Sequence, residues 1–106
     1  MSDASPALLR HVVLFSFKPT ATSVQVDAVV AGFAQLPSAI PGIVSFEWGT
    51  NVSPEGLSDG FTHCFTLSFG NAEERDAYLV HAAHQRFVDT LGVYLGRALV
   101  VDYWTR

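Results

Sequence analysis

The sequence carries little charge and only one cysteine. Charged residues make up 15% of the 106 residues, against roughly 25% in typical soluble domains, and their formal net charge is −4. The six Lys and Arg are scattered, which argues against nucleic-acid binding through phosphate neutralisation. Cys64 has no second cysteine to pair with, so we predict that it is a small buried hydrophobic residue in a strand.

Several sequence signals for location and cofactor binding are also missing. The first residues are polar and acidic, and they lack the basic start and apolar core of a secretory signal. No window approaches the ~20 apolar residues that a membrane span needs, and there is no glycine-rich nucleotide loop. We therefore expect a cytoplasmic protein that binds no membrane and uses no cofactor.

The apolar content is high enough for one hydrophobic core. Hydrophobic residues make up 49% of the chain, which suits one domain of this length and not two. We expect residues 1–9 to form a flexible lead-in and residues 10–106 to form the domain. Because so little of the chain is charged, part of the apolar surface is expected to be covered by another subunit.

The hydrophobic pattern predicts four strands and two helices. The predicted strands cover residues 10–18, 43–52, 61–69 and 95–104, where β-branched and aromatic residues dominate. A capping-box pattern at Thr22 and Gln25 begins the first helix, which should end near Pro37. Asn71 can cap the second helix, which runs to Gly92.

The order of these elements indicates an α+β fold of the ferredoxin-like type, β-α-β-β-α-β, with an antiparallel four-stranded sheet. Two helices can cover only one face of that sheet. On the other face Val12, Leu14 and Cys64 alternate with residues such as Thr66 and are too apolar to leave in water. A second copy of the sheet is the simplest cover, so we predict a homodimer formed through the sheet face.

The stretch from Tyr78 to His84 holds the residues best suited to proton transfer. An unperturbed imidazole titrates near pH 6.5, so a His and a Tyr that share a cavity can exchange protons with a ligand. In an unbroken helix His84 joins an apolar stripe while Tyr78 points away. A break near Ala82 would turn both side chains toward one space, so the local backbone decides between a proton-transfer pair and a core histidine.

Several motifs together resemble the stress-responsive dimeric alpha-beta barrel domain family, known as Dabb. The resemblance covers residues 10–104 and is carried by these segments: His-Val-Val-Leu-Phe-Ser-Phe-Lys, Ile-Pro-Gly-Ile, Trp-Gly-Thr-Asn-Val-Ser-Pro-Glu-Gly-Leu, Asp-Gly-Phe-Thr-His, Ala-Tyr-Leu-Val-His-Ala-Ala-His and Val-Val-Asp-Tyr. It implies a homodimer whose two sheets form a shared barrel. The family includes plant stress proteins and plant polyketide cyclases related to olivetolic acid cyclase.

The resemblance to these cyclases implies roles for individual residues. His84 and Tyr78 match the catalytic His and Tyr, and His11 and His63 match strand histidines that line the pocket. Phe33 matches a pocket tyrosine and lacks its hydroxyl, and we count His81 with Phe33 among the candidate substrate-binding residues. The usual His-Pro-Ala-His is His-Ala-Ala-His here, so no proline enforces the helix break.

Two functions of different classes follow from these observations. The first is a small cofactor-free dimer whose His- and aromatic-lined pocket binds an apolar or aromatic carbonyl compound and cyclises, isomerises or cleaves it. The second is a stress-associated binding or structural protein without turnover. An open cavity reached by Tyr78 and His84 favours the enzyme, whereas a filled interior favours the alternative. The spacing of His81 and His84 is weak support for zinc, and we predict no metal site.

Asp102, in the last predicted strand, is expected to have a structural role and to pair with Arg97 or Lys18.

Overall fold

The computed structural model describes residues 7–106, so most of the predicted lead-in lies outside the described residues. Eight elements follow one another along the chain: β1 (Leu9–Phe17), α1 (Ser23–Ala34), α2 (Leu36–Ala39), β2 (Ile43–Thr50), β3 (His63–Phe69), α3 (Ala72–Val80), α4 (Ala82–Tyr94) and β4 (Leu95–Trp104). With α2 as an addition and the second helix in two pieces, this is the predicted ferredoxin-like order.

The four strands form one antiparallel sheet in the order β2-β3-β1-β4. The two central strands therefore come from distant parts of the sequence, and β4 pairs along the whole of β1. In that ladder His11 lies opposite Asp102 and Val12 lies opposite Val101. Alternate residues of each strand point to opposite faces, so these two pairs lie on opposite faces of the sheet.

The helices cover the face that carries His11, Val13 and Phe15, all of which are buried. Phe33 of α1 stacks on Phe65 of β3, with 4.3 Å between ring centroids. Thr22 and Gln25 form the predicted capping box at the start of α1. The aromatic contacts fix α1 on the sheet and form the centre of the core.

Several boundaries differ from the predicted ones, and two of the differences bear on the loops around the sheet. A four-residue helix, α2, includes Pro37, because proline is well tolerated in the first turn of a helix. The strand β3 begins at His63, since Phe61 lies in a turn closed by a hydrogen bond from its N–H to the Ser58 carbonyl. The loop of residues 51–62 is correspondingly longer than predicted.

The predicted second helix is interrupted at His81, which ends α3 and begins α4. The His81 backbone is extended, with φ −66° and ψ 140°. This is the break that the sequence left open, and it occurs one residue before Ala82 without a proline. None of the helices in residues 7–106 is long and apolar enough to cross a membrane.

Candidate functional site

A cavity of about 470 Å³ lies between the sheet and the helices α1, α3 and α4. Its polar lining consists of His11, Tyr78, His84 and Asp102, and apolar side chains from the two strands β1 and β4 and from the helices form the remaining wall. The volume falls within the range of about 300–1,000 Å³ that small-molecule sites occupy. The interior beneath the second helix is therefore open, with polar groups concentrated among apolar walls.

The interruption at His81 supplies a backbone acceptor to this cavity. In an unbroken helix the Ala83 N–H would donate to the Leu79 carbonyl, four residues earlier. Here the Ala83 N–H donates instead to Nδ1 of His81, at 3.0 Å, and His81 is the N-cap of α4. The Leu79 carbonyl is left free to accept hydrogen bonds from side chains.

His84 uses that carbonyl to fix its ring. Its Nδ1 lies 3.1 Å from the Leu79 oxygen, and the Gln85 side-chain amide donates to the same oxygen at 3.0 Å. A carbonyl oxygen can only accept, so Nδ1 carries the proton and Nε2 of the neutral ring keeps its lone pair. Burial lowers the pKa of His84, and the nearby His11 lowers it further, while the bond to Leu79 acts in the opposite direction. His84 therefore has the protonation state of a general base.

Tyr78 lies next to both cavity histidines. Its ring centroid is 4.5 Å from that of His84 and 5.7 Å from that of His11. The side chain is only 1% exposed, and burial raises the pKa of the phenol. Tyr78 therefore keeps its proton at neutral pH and can donate a hydrogen bond to an oxygen that gains negative charge.

His11 is held by two residues that we did not assign to the site from sequence. Its Nδ1 lies 2.7 Å from Oδ1 of Asp102, and Nη1 of Arg75 lies 2.6 Å from the other carboxylate oxygen. We predicted that Asp102 would pair with Arg97 or Lys18, and that prediction is wrong. Arg97 pairs with Asp59, and Lys18 donates to the backbone carbonyl of Val93.

The remaining sequence candidates are divided between the cavity and other places. Phe33 lines the cavity. His63 lies outside it. Its ring stacks on Trp48, meets Phe17 edge-on and lies 2.8 Å from the Thr62 hydroxyl, and burial lowers its pKa. The His81 ring caps α4 and is absent from the cavity lining. The structure thus brings together His11, Phe33, Tyr78 and His84, and it places His63 and His81 elsewhere.

A second cavity, of about 370 Å³, lies against the loop of residues 51–62 and has His63, Cys64 and Leu14 in its lining. It shares no lining residue with the cavity that contains His84. Across residues 7–106, no three His, Cys, Asp or Glu side chains are grouped as ligands of a metal ion would be. The first cavity therefore holds the only convergence of a phenol and two imidazoles within these residues.

Two related proteins match this chain over nearly its whole length. The stress-response A/B barrel domain-containing protein HS1 of Arabidopsis thaliana is 35% identical over 95 residues, which are 90% of this chain and 87% of that protein. Olivetolic acid cyclase of Cannabis sativa is 26% identical over 98 residues, which are 92% of this chain and 97% of the cyclase.

Solved structures share the fold over a similar extent. The hydroxynitrile lyase of Passiflora edulis superimposes with a TM-score of 0.89 and covers 96% of both chains, and its 23% identity supports likeness of fold alone. A dimeric ferredoxin-like protein of unknown function from Jannaschia sp. superimposes with a TM-score of 0.78 at 27% identity, over 91% of this chain and 97% of that one.

A family model describes the chain almost from end to end. The model of the stress responsive A/B barrel domain, Dabb, matches residues 9–105, a range that contains every strand and helix and all four polar residues of the cavity. The chain is a member of the Dabb family of stress-responsive A/B barrel domains.

Proposed function

We propose that this protein is a homodimer that performs cofactor-free acid/base chemistry on a small apolar or aromatic carbonyl compound in the cavity beside His84. The observation that carries the proposal is the convergence of the Tyr78 phenol and the His84 imidazole in an open cavity of about 470 Å³. A filled interior would have favoured a binding or structural protein without turnover. Olivetolic acid cyclase, a relative at 26% identity, gives cyclisation as the first reaction to test.

The proposed reaction begins with proton abstraction by His84. Its Nε2 takes a proton from the carbon beside a substrate carbonyl, and the C–H electron pair forms an enolate. The Tyr78 hydroxyl donates a hydrogen bond to the enolate oxygen as its negative charge develops.

The enolate carbon then attacks a second carbonyl carbon of the same substrate. A carbon–carbon bond forms, and the second carbonyl becomes an alkoxide. Protonated His84 returns its proton to this alkoxide, which regenerates the neutral base. No electrons leave or enter the system, so the aldol cyclisation needs no oxidant or reductant.

The homodimer is supported by the outer face of the sheet, which the helices leave open. Leu99, Val101 and Tyr103 are 47%, 49% and 50% exposed on that face, and Val12 and Leu14 lie beside the first two in the β1–β4 ladder. Contiguous apolar patches of this kind mark interaction surfaces. The dimeric ferredoxin-like neighbour from Jannaschia sp. favours a second copy of the chain as the partner.

The test is turnover of a linear poly-β-keto thioester, followed by mass spectrometry of cyclised products. We expect His84→Ala to lower the rate about 10²–10⁴-fold through loss of the base. We expect Tyr78→Phe to lower it about 10²–10³-fold through loss of the hydroxyl donor. Circular dichroism and light scattering must show that both variants keep the fold and mass of the parent protein.

A parallel assay measures exchange of the α-protons of an aryl ketone in D₂O, which reports proton abstraction without ring closure. His63→Ala is the matched control, because His63 lies outside the cavity lining, and we expect parental rates from it. Parental rates from both His84→Ala and Tyr78→Phe would exclude the proposed chemistry.

A further inference from the structure

The cavity beside His84 opens toward the edge strand β4. Its lining residues on β1 and α1, such as Val13 and Phe33, are buried, whereas Ala98 and Val100 of β4 are exposed. Val100 lies opposite Val13 on the helix-covered face of the sheet and is nevertheless 52% exposed. Lining residues that are exposed border the opening of a cavity, so the opening lies along β4 and its rim there is apolar.

Both edges of the sheet are unpaired within residues 7–106. The strand order is β2-β3-β1-β4, so β4 pairs only with β1 and β2 pairs only with β3. The edge strand β4 is ten residues long and mostly apolar. Proteins normally cover such an edge, because its free N–H and C=O groups otherwise pair with other chains. The sheet therefore offers two edges to a second copy of the chain.

The strand directions allow β2 of one subunit to pair with β4 of its partner. Every neighbouring pair in the sheet is antiparallel, so β1 and β2 run in one direction and β3 and β4 run in the other. A two-fold axis parallel to the strands brings the outer faces of two sheets together and sets each β2 antiparallel to the partner's β4. Two four-stranded sheets then close into one barrel, the architecture for which the family is named.

Trp48 is a large side chain that β2 brings to this edge. It lies opposite Phe65 of β3, which lies opposite Val13 of β1, so Trp48 belongs to the helix-covered face. Its ring stacks on Phe65 with 6.0 Å between ring centroids, yet 46% of the residue is exposed. The indole is therefore held from one side and open on the other, where a partner's β4 would lie.

The pleat of the strands places Trp48 near the cavity in several registers. Alternate residues point to opposite faces, so a residue on the helix-covered face of β2 pairs with one on the same face of β4. On β4 this face carries Ala98, Val100 and Asp102, each opposite a residue of β1 on that face. All three line the cavity. Pairing with any of them brings the indole to the rim.

We propose that the cavity is completed across the dimer interface, where the partner subunit's Trp48 covers the opening along β4 and forms an aromatic wall against the ligand. Tyr78 and His84 come from one subunit and the cover comes from the other. The wall favours a flat aromatic or conjugated ligand over a puckered aliphatic one, because stacked rings gain more than their buried area. The inference rests on the proposed function and deepens it by naming a residue that the second subunit contributes.

Disulfide formation tests the position of Trp48 without a ligand. Trp48→Cys and Val100→Cys are combined in a Cys64→Ser background and oxidised. Within one subunit these positions lie on opposite edges of the sheet, about 14 Å apart, which is too far for a disulfide. We expect a covalent dimer from this pair or, in the neighbouring register, from Trp48→Cys with Ala98→Cys. Trp48→Cys with Arg86→Cys, which lies in a groove between α1 and α4, should give none.

Two phenols with different rings test the aromatic wall. Dissociation constants of 4-phenylphenol and 4-cyclohexylphenol are measured by calorimetry, since these probes share a hydroxyl and differ in a flat or puckered ring. We expect Trp48→Leu to weaken binding of 4-phenylphenol about tenfold and to reduce its advantage over the cyclohexyl probe about threefold to tenfold. A monomer made by Val101→Arg on the outer face lacks the partner's indole and should show the same losses.

Mixed dimers test whether Trp48 acts on the other subunit's cavity. A Trp48→Leu subunit paired with a His84→Ala subunit has one complete site, because the intact His84 receives the indole of the partner. We expect the mixture to turn over substrate faster than the sum of the two separate variants. If Trp48 acted within its own subunit, both sites of the mixed dimer would be defective and the mixture would show no gain.

The outcomes separate this inference from the proposed function. A parental dissociation constant for 4-phenylphenol in Trp48→Leu would overturn the inference. Absence of a covalent dimer from both cysteine pairs, in a protein with the mass of a dimer, would also overturn it and leave the proposed homodimer intact. If Trp48→Cys does not fold, Thr50→Cys on the same face of β2 replaces it. Failure of both phenols to bind the parent protein would contradict the cavity function, and the disulfides would still decide where Trp48 lies.

Discussion

His84 and Tyr78 are both neutral in the cavity, and the cause is the same for each. Burial disfavours the charged form of any group, so it lowers the pKa of an imidazole and raises the pKa of a phenol. The pKa of His84 falls below its ordinary 6.5, and that of Tyr78 rises above its ordinary 10. One apolar environment thereby provides a free base and a protonated donor at the same pH.

The shift at His84 predicts the pH dependence of the reaction. Because its pKa is lowered, the neutral base persists to a lower pH than in a free imidazole. We therefore expect the acid limb of kcat/KM to have its midpoint below pH 6.5. Because the pKa of Tyr78 is raised, no loss from phenol ionisation is expected up to pH 10.

A pH profile of kcat/KM between about pH 4.5 and 10 checks this prediction. The His63→Ala variant should give the same profile, since that ring lies outside the cavity. An acid limb with its midpoint above pH 6.5 would mean that burial does not control the base, and the proton acceptor would have to be sought elsewhere.

Among the helices, the interruption at His81 has the largest consequence for the site. It frees the Leu79 carbonyl, which fixes the ring of His84, and it lets Tyr78 and His84 meet in one cavity. The break is maintained by the His81 side chain as N-cap and not by a proline. The backbone there is already suited to proline, since the residue before a proline favours extended angles and His81 has φ −66° and ψ 140°.

We therefore predict that Ala82→Pro stabilises the protein. Residue 82 is the first of α4, where the missing N–H costs little and the fixed φ suits the helix. We expect a gain of about 0.4–1 kcal/mol from the reduced freedom of the unfolded chain, measured as a higher Tm with unchanged activity.

Ala83→Pro is the matched control one residue later. The Ala83 N–H donates to the capping ring of His81, so proline there removes the cap, and we expect a loss of about 1 kcal/mol. A lower Tm for Ala82→Pro than for the parent protein would show that the start of α4 needs the Ala82 N–H.

The two helical regions also indicate how far sequence reasoning extends. The capping residues Thr22 and Asn71 were predictable because their side chains bond to backbone groups three residues away. The break at His81 was left open, since an alanine at position 82 fits either a continuous or a broken helix. Histidine is not among the residues preferred at helix N-caps. The sequence therefore did not predict this cap, and the break is seen only in the folded structure.

At the scale of the whole molecule, register explains what the sequence did not reveal. The bounds of β4 were predicted as 95–104 and are confirmed, yet the partners predicted for Asp102 were wrong. His11 and Asp102 are separated by 91 residues and meet because β1 and β4 pair in one register. Alternation along β4 places Asp102 on the same face as Val100. That face alone does not identify the partner of Asp102, because the partner depends on the register between β1 and β4.

The same register assembles the proposed dimer surface on the opposite face. Val101 lies opposite Val12 and Leu99 lies opposite Leu14, so the exposed side chains of β4 continue the apolar surface of β1. We predict that Val101→Arg converts the dimer to a monomer at about 10 µM, because a buried, unpaired charge costs several kcal/mol. Size-exclusion chromatography with light scattering measures the mass directly.

Val24→Arg provides the comparison on the other side of the molecule. Val24 is 75% exposed on α1, which packs on the helix-covered face, so the same substitution there should leave the dimer intact. A monomer mass for the parent protein would contradict the proposed dimer. A dimer that survives Val101→Arg and dissociates with Val24→Arg would show that the interface is not on the outer face of the sheet. Because His11 and Val12 project to opposite faces of β1, monomeric Val101→Arg should keep the cavity, and its residual turnover would show whether one subunit suffices for the chemistry.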